Sequence, residues 1–250
     1  MIKISIIVAT FNSSSTICDC IESIITQNYS NIEIIVIDGK SNDNTIELLN
    51  RNYKNFSIKI ISEPDKGIYD ALNKGIILSE GDVVGFVHSD DILKSNEIIA
   101  QIADNFNNKN IDGVYGDLQY VNKKDSKIII RNWISCDFNF NLLAKGWMPP
   151  HPTLFLKKEV YKKHGLFDLK YSISADYDFM LRVFKDTDLT FYYMPKVITL
   201  MRVGGVSNRN LKNLFVKTKE DYNVIKNNNI GNLLTLFLKN FSKISQFFNV

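Results

Sequence analysis

The chain holds three cysteines, Cys18, Cys20 and Cys136, in 250 residues. An odd, sparse set forms no disulfide framework and suits a reducing compartment. Cys18 and Cys20 lie two apart on a predicted helix, face different ways, and so do not form a metal clip. No apolar run is long enough to span a bilayer. No charged n-region, apolar h-region and cleavage site precede the first strand pattern, so the body is expected in the cytoplasm. No G-x-G-x-x-G follows that strand, which argues against an NAD-linked dehydrogenase. The same place reads TFNSSST, without the glycine-rich, Arg- or Lys-bearing loop expected of a sugar-phosphate nucleotidyltransferase. A strong charge excess is missing too: a net +3 is too mild to argue for a nucleic-acid partner.

What is present describes a folded protein. Hydrophobic residues make up 45% and charged residues 23%, ordinary values for a chain with a sizeable core. The charge is unevenly placed. From Lys196 onward there are nine basic residues and two acidic ones, a net +7 that leaves the first 195 residues at −4. A basic tail on a near-neutral body suits an anionic surface.

Hydrophobic patterning predicts strands at Lys3 to Thr10, Ile32 to Asp38, Ile58 to Ile61 and Val83 to Val87. Helices are predicted between and after them: one following Ser15 or Thr16, one from Asp43 to about Asn52, one from Tyr69 to Leu78, and one from about Ser95 to Phe106. This alternation implies βαβ units, right-handed crossovers and a Rossmann-like, mostly parallel sheet with helices on both faces. Val114 to Tyr120 and Lys127 to Trp133 read as a hairpin, followed by the loop WMPPHP and by helices at Lys158 to His164 and around Tyr177 to Phe184.

Ligands of such sheets bind beyond the carboxyl ends of the strands, where Thr10, Asp38 and His88 to Asp91 fall. In VHSDD, adjacent carboxylates repel unless a cation sits between them and a phosphate, although a turn with a capping Asp would look the same. In DKGIYDALNKGI, Gly67 permits close backbone approach at a helix N-terminus and Lys66 adds charge, the pattern of an anion site or of a plain capped helix. In SADYDFMLR, Asp176 and Asp178 open an amphipathic helix; the macrodipole accounts for one Asp, and a general base at the helix mouth accounts for the second. RVGGVS has paired glycines, suited to a loop that closes over phosphates or to an ordinary flexible one.

Taken in order, these segments resemble the inverting glycosyltransferases of family 2, of the kind that build bacterial polysaccharide, O-antigen and colanic acid. The resemblance runs through SIIVATFN, IVIDGKSNDNT, SEPDKGIYDALNKGI and GDVVGFVHSDD, then MPPHPTLFLKKEVYKKHGLFD, SADYDFMLR and RVGGVS. It implies a GT-A domain over residues 1–207, with a nucleotide-sugar-binding half at 1–117 and an acceptor and catalytic half at 118–207. It also implies hexosyl transfer from a nucleotide-diphosphate sugar, a UDP-sugar above all, to a glycan or polyprenyl-linked acceptor, with Mg²⁺ or Mn²⁺. By that resemblance Thr10 and Asn12 would border the nucleoside, Asp38 would accept from a uracil-like N–H, and Lys66, Gly67 and Asn73 would lie near the phosphates and sugar. Asp90, with Asp91 beside it, would hold the metal, and Asp176 would be the base.

The chain departs from the family pattern at His88, Gly39 and Ala175, where acids are common. Two other readings stand beside the transferase: a sugar-phosphate nucleotidyltransferase and a non-catalytic nucleotide-sugar-binding module. Donor sugar and acceptor would depend on pocket shape and on the segment from Tyr120 to Trp147. The tail, residues 208–250, is predicted as a basic amphipathic helical segment. Ile230, Leu233, Leu234, Phe237, Phe241, Ile244 and Phe248 recur on one helical face, with Lys239 and Lys243 available for head groups. That face suits the inner surface of the cytoplasmic membrane, packing on the catalytic domain, or pairing in a homodimer.

Overall fold

A computed structural model describes residues 1–204 and 211–241 of the chain. The first half forms as the alternation dictates. Strands β1 (Ile4–Thr10), β2 (Ile32–Asp38), β3 (Ile58–Ser62) and β4 (Val83–Phe86) are all parallel, in the order β3-β2-β1-β4. Helices α1 (Ile17–Ile25), α2 (Thr45–Asn52) and α3 (Ile68–Leu78) connect them. Side chains alternate along the strands, so Ile7, Ala9, Ile35 and Ile37 enter one core while Ile6, Val8, Ile34 and Val36 enter the other. Strands covered on both faces have to be apolar throughout, which is why β1 reads as an unbroken run.

The second half turns the sheet mixed. It contributes β5 (Asp91–Leu93), β6 (Gly113–Val121), β7 (Ile129–Trp133), β8 (Phe155–Lys157) and β9 (Phe191–Arg202), with α4 (Ile98–Asn108), α5 (Lys158–His164) and α6 (Ala175–Phe184). The order continues from β4 through β8, β6 and β9 to β5, with β7 paired to β6. Strands β8, β5 and β7 pair antiparallel with their neighbours, whereas β6 and β9 are parallel. The expected hairpin is β6 and β7. The strands not foreseen are short, or, in β9, interrupted by Pro195.

The tail forms α7 (Leu211–Asn227) and α8 (Leu233–Phe241). Helix α7 packs on α6, and α8 packs on α7 and on the 3-10 segment Phe140–Lys145. Gly146 permits that last approach: it has φ +75°, and a Cβ there would stand 2.5 Å from the Cβ of Lys239. The expectation that Lys239 meets head groups is not met. Its side chain is 3% exposed and its ammonium lies 2.7 Å from Asp221. Leu233, Leu234, Phe237 and Phe241 of the expected stripe face outward, at 66%, 63%, 53% and 52% exposed. Lys243, Ile244 and Phe248 lie outside the described residues, as does the second half of the RVGGVS loop. No helix among the described residues is long and apolar enough to cross a membrane.

Candidate active site

The crevice lies beyond the carboxyl ends of β1, β2 and β4, whose loops are tied together. Ser13 Oγ is 2.8 Å from Ser89 Oγ, Asn12 N–H donates to Ser41 Oγ at 2.8 Å, and Asn42 N–H donates to Asn12 Oδ1 at 2.9 Å. Asn12 holds a left-handed φ of 50°, which places its carboxamide across the β2–α2 loop. Thr10 ends β1 with 4% exposure and a hydroxyl without a partner.

Asp38 is the last residue of β2. It is fully buried, and its carboxylate accepts from Ser41 N–H, Ser41 Oγ and Ser62 Oγ. These bonds order the loop after β2 and leave Oδ1 with a single one, from Ser41 Oγ. A different acid stands at that edge. A side chain at Gly39 would begin 2.6 Å from Asp65 Oδ2, while Asp65 Oδ1 accepts from Gly67 N–H at 2.9 Å.

Gly67 precedes α3 with φ +110°, nothing crowds it, and Lys66 beside it is exposed. Both are open to a donor. Asn73 is not: at 8% exposure, its carboxamide exchanges two 2.9 Å hydrogen bonds with the backbone of Phe167. The expected phosphate or sugar contact is replaced by a brace between α3 and the loop before α6. A buried amide satisfied at both ends stays where it is.

Asp90 is half-buried. Arg202, itself 6% exposed at the end of β9, donates from Nη1 to the Asp90 carbonyl at 2.9 Å and pairs with Asp19. No hydrogen bond reaches the Asp90 carboxylate among the described residues. Asp91, expected beside it as a ligand, is fully buried in β5 near Cys20 of α1, with both carboxylate oxygens unpartnered. Burial, then repulsion from Asp90, pushes its carboxyl well above the usual range. Asp90 alone of the pair reaches the crevice.

Behind Asp90 stand two imidazoles, His88 and His151, with ring centroids 5.8 Å apart. His151 packs on Phe86 and Phe167, and its Nε2 lacks a partner, as does His88 Nδ1. Burial holds His151 down at about 4, against the pull of Asp176, and lowers His88 as well. Both are neutral near pH 7.

Asp176 sits in the first turn of α6. Its Oδ1 accepts from Tyr177 N–H at 2.8 Å and lies 3.1 Å from the Tyr69 hydroxyl, which also meets the Ile173 carbonyl at 2.6 Å. Oδ2 accepts no hydrogen bond among the described residues. Asp178 is consumed by the fold: 5% exposed, it pairs with Arg182 at 2.9 Å and accepts from Asn228 at 3.0 Å. The two acids of SADYD therefore divide between one open oxygen and one closed ion pair.

The residue-level reading missed His151, Tyr69, Arg202 and Asp65. Each lay inside a segment that had been singled out, so the signal was present and the partner was not.

A cation fits this crevice in one way. No group of three or more His, Cys, Asp or Glu converges among the described residues, so no protein cage exists. A single open carboxylate suits Mg²⁺ or Mn²⁺ completed by phosphate oxygens and water.

Known proteins resemble this chain in sequence and in fold. A PGL/p-HBAD biosynthesis glycosyltransferase of Mycobacterium bovis is 29% identical over 221 residues, 85% of this chain and 82% of its own length. Chondroitin synthase of Pasteurella multocida is 26% identical over 89% of this chain, which spans 23% of that protein. Among solved structures, S. aureus TarS 1–349 in complex with UDP-GlcNAc superposes with a TM-score of 0.71 at 17% identity, over 90% of this chain and 65% of that one. The mannosyltransferase PcManGT from Pyrobaculum calidifontis, in complex with GDP-Man and Mn²⁺, gives 0.65 at 17% identity, over 90% and 64%. At such identities the likeness is one of fold, and this chain spans just under two thirds of either solved chain. The model for glycosyl transferase family 2 matches residues 5–168, and the chain belongs to that family of enzymes.

Proposed function

We propose that this enzyme moves one hexosyl unit from a UDP-sugar to a hydroxyl of a glycan or polyprenyl-linked acceptor, with inversion, in cell-surface polysaccharide synthesis. The observation that carries the reading is the state of Asp176: one oxygen anchored, the other open at a helix mouth. A nucleotide-sugar-binding module has no use for such a carboxylate.

In the reaction, Asp176 Oδ2 takes the acceptor proton as the acceptor oxygen attacks the anomeric carbon. The bond from that carbon to the diphosphate breaks in line, and the electron pair leaves on the nucleoside diphosphate. One displacement inverts the centre. Proton removal of this kind contributes about 10²–10⁴-fold. A divalent cation held by Asp90 would neutralise charge on the diphosphate. Lys66 and the α3 N-terminus at Gly67 supply further positive potential toward it. The neutral His88 and His151 leave Asp176 without a protonated imidazole partner near pH 7.

The test is Asp176→Asn. UDP affinity by calorimetry should be unchanged while kcat for transfer from a donor panel falls by about 10²-fold or more. A variant retaining near-normal kcat would remove the assignment. Asp178 would be a poor replacement, because its oxygens are already taken.

A further inference from the structure

The loop that presents Asp176 is held from the tail. Glu220 of α7 accepts four hydrogen bonds from it: Ser172 N–H and Ser172 Oγ at 2.8 Å on Oε1, and Ile173 N–H at 2.8 Å and Ser174 N–H at 2.9 Å on Oε2. Next to it, Asp221 accepts from Ser174 Oγ at 2.8 Å. Asp221 is 1% exposed and is balanced by two ammonium groups, Lys217 at 2.8 Å and Lys239 at 2.7 Å. Lys239, inserted from α8, also stands 3.5 Å from the ring centroid of Tyr177, the residue after Asp176. Every residue from 172 to 174 is thus bonded to α7, and Tyr177, just after Asp176, meets α8.

We propose that Glu220, Asp221 and Lys239 are positioning residues for Asp176, so that the tail sets the aim of the base. This rests on the reading of Asp176 as that base.

Three consecutive N–H groups directed at one carboxylate are charge-assisted and hold the loop at one height. That height fixes where α6 begins and where its first turn points. Tyr69 and Tyr177 N–H then fix the rotation of the carboxylate, leaving Oδ2 toward the crevice. A misplacement of about 1 Å in such a group costs about 10²-fold in rate. Among the described residues no hydrogen bond or ion pair joins Glu220 or Asp221 to Thr10, Asn12, Gly67 or Asp90, so UDP binding is expected to survive their loss.

Burial pushes the Lys239 ammonium down to about 8, opposed by Asp221. Burial also works against the Asp221 charge, but Lys239 and Lys217 hold that carboxyl at about 2. Near neutral pH the ion pair is therefore charged on both sides. Lys239 acts on the base through position.

The experiment compares three full-length variants: Glu220→Gln, Lys239→Met and, as the reference, Asp176→Asn. Glu220→Gln keeps the shape of the side chain and replaces one acceptor oxygen by an NH₂ that opposes the loop N–H groups. Transfer kinetics are measured with the UDP-sugar chosen by the panel, and folding is checked by calorimetric titration with UDP. The expected result is a kcat lowered by about 10–10²-fold in both positioning variants, with KM for the donor and the UDP affinity within about twofold. Unchanged kcat in Glu220→Gln and Lys239→Met, with transfer lost in Asp176→Asn, overturns the positioning role and leaves the base intact. Equal proportional loss of kcat and UDP affinity overturns it also, because that pattern is general destabilisation. A normal kcat in Asp176→Asn removes the base and this inference with it.

Discussion

Asn73 and Asp90 show how differently a polar side chain near a crevice can be used. Asn73 gives its carboxamide wholly to Phe167. Asn73→Ala would leave a buried N–H and C=O of Phe167 unpaired, at a cost of about 1–3 kcal/mol. The expected outcome is a lower urea midpoint with an unaltered donor KM. A tenfold rise in that KM at full stability would return Asn73 to the donor site. Asp90 gives the fold only its carbonyl, to Arg202. Asp90→Ala should therefore fold normally and lose transfer, and excess EDTA should silence the native enzyme to the same degree. Full activity in EDTA would mean that no divalent cation takes part.

Among the elements, α8 is the one built inside out. Thr235 and Lys239 face the protein, with Thr235 Oγ1 donating to the Ala144 carbonyl at 2.8 Å, while five large apolar side chains face solvent. Phe237 and Phe241 stack there at 4.0 Å. An apolar face turned outward on a helix too short to span suits the interface plane of a membrane. Deleting α8 would also delete Lys239 and so disturb Asp221, which makes truncation a poor test. Substituting Leu234→Ser and Phe237→Ser changes the outer face alone. Flotation with anionic liposomes should fall severalfold for that double variant while UDP binding persists. Equal flotation of variant and native chain, or none by either, would leave α8 as a face for a second subunit.

Across the whole molecule, the first half was legible because its information is local. Short apolar, β-branched runs place β1 to β4, a 3.6-residue period places their helices, and the ends of those runs place Thr10, Asp38 and Asp90. Direction was less legible than position. Asp38 ends β2 as expected while Asp91 opens β5, and which way a carboxylate turns depends on distant segments, as Ser62 of β3 does for Asp38. The second half was harder, since β8 and β5 have three residues each and take their strand character from neighbours. The tail resisted for the same reason. Lys239 has the pattern of a surface lysine, and only the fold reveals Asp221 beneath it.

The pairing of β5 with β9 has a consequence for synthesis. On the ribosome Asp90 emerges 112 residues before Arg202, the side chain that clasps its carbonyl. The parallel unit β3-β2-β1-β4 has all its own strands by Phe86, although its cores are completed only by later residues such as Phe155 and Phe167. Asp90, the carboxylate proposed for the cation, is thus made early and anchored late. A nascent chain would carry the strands around the crevice well before it carries Asp176, the proposed base.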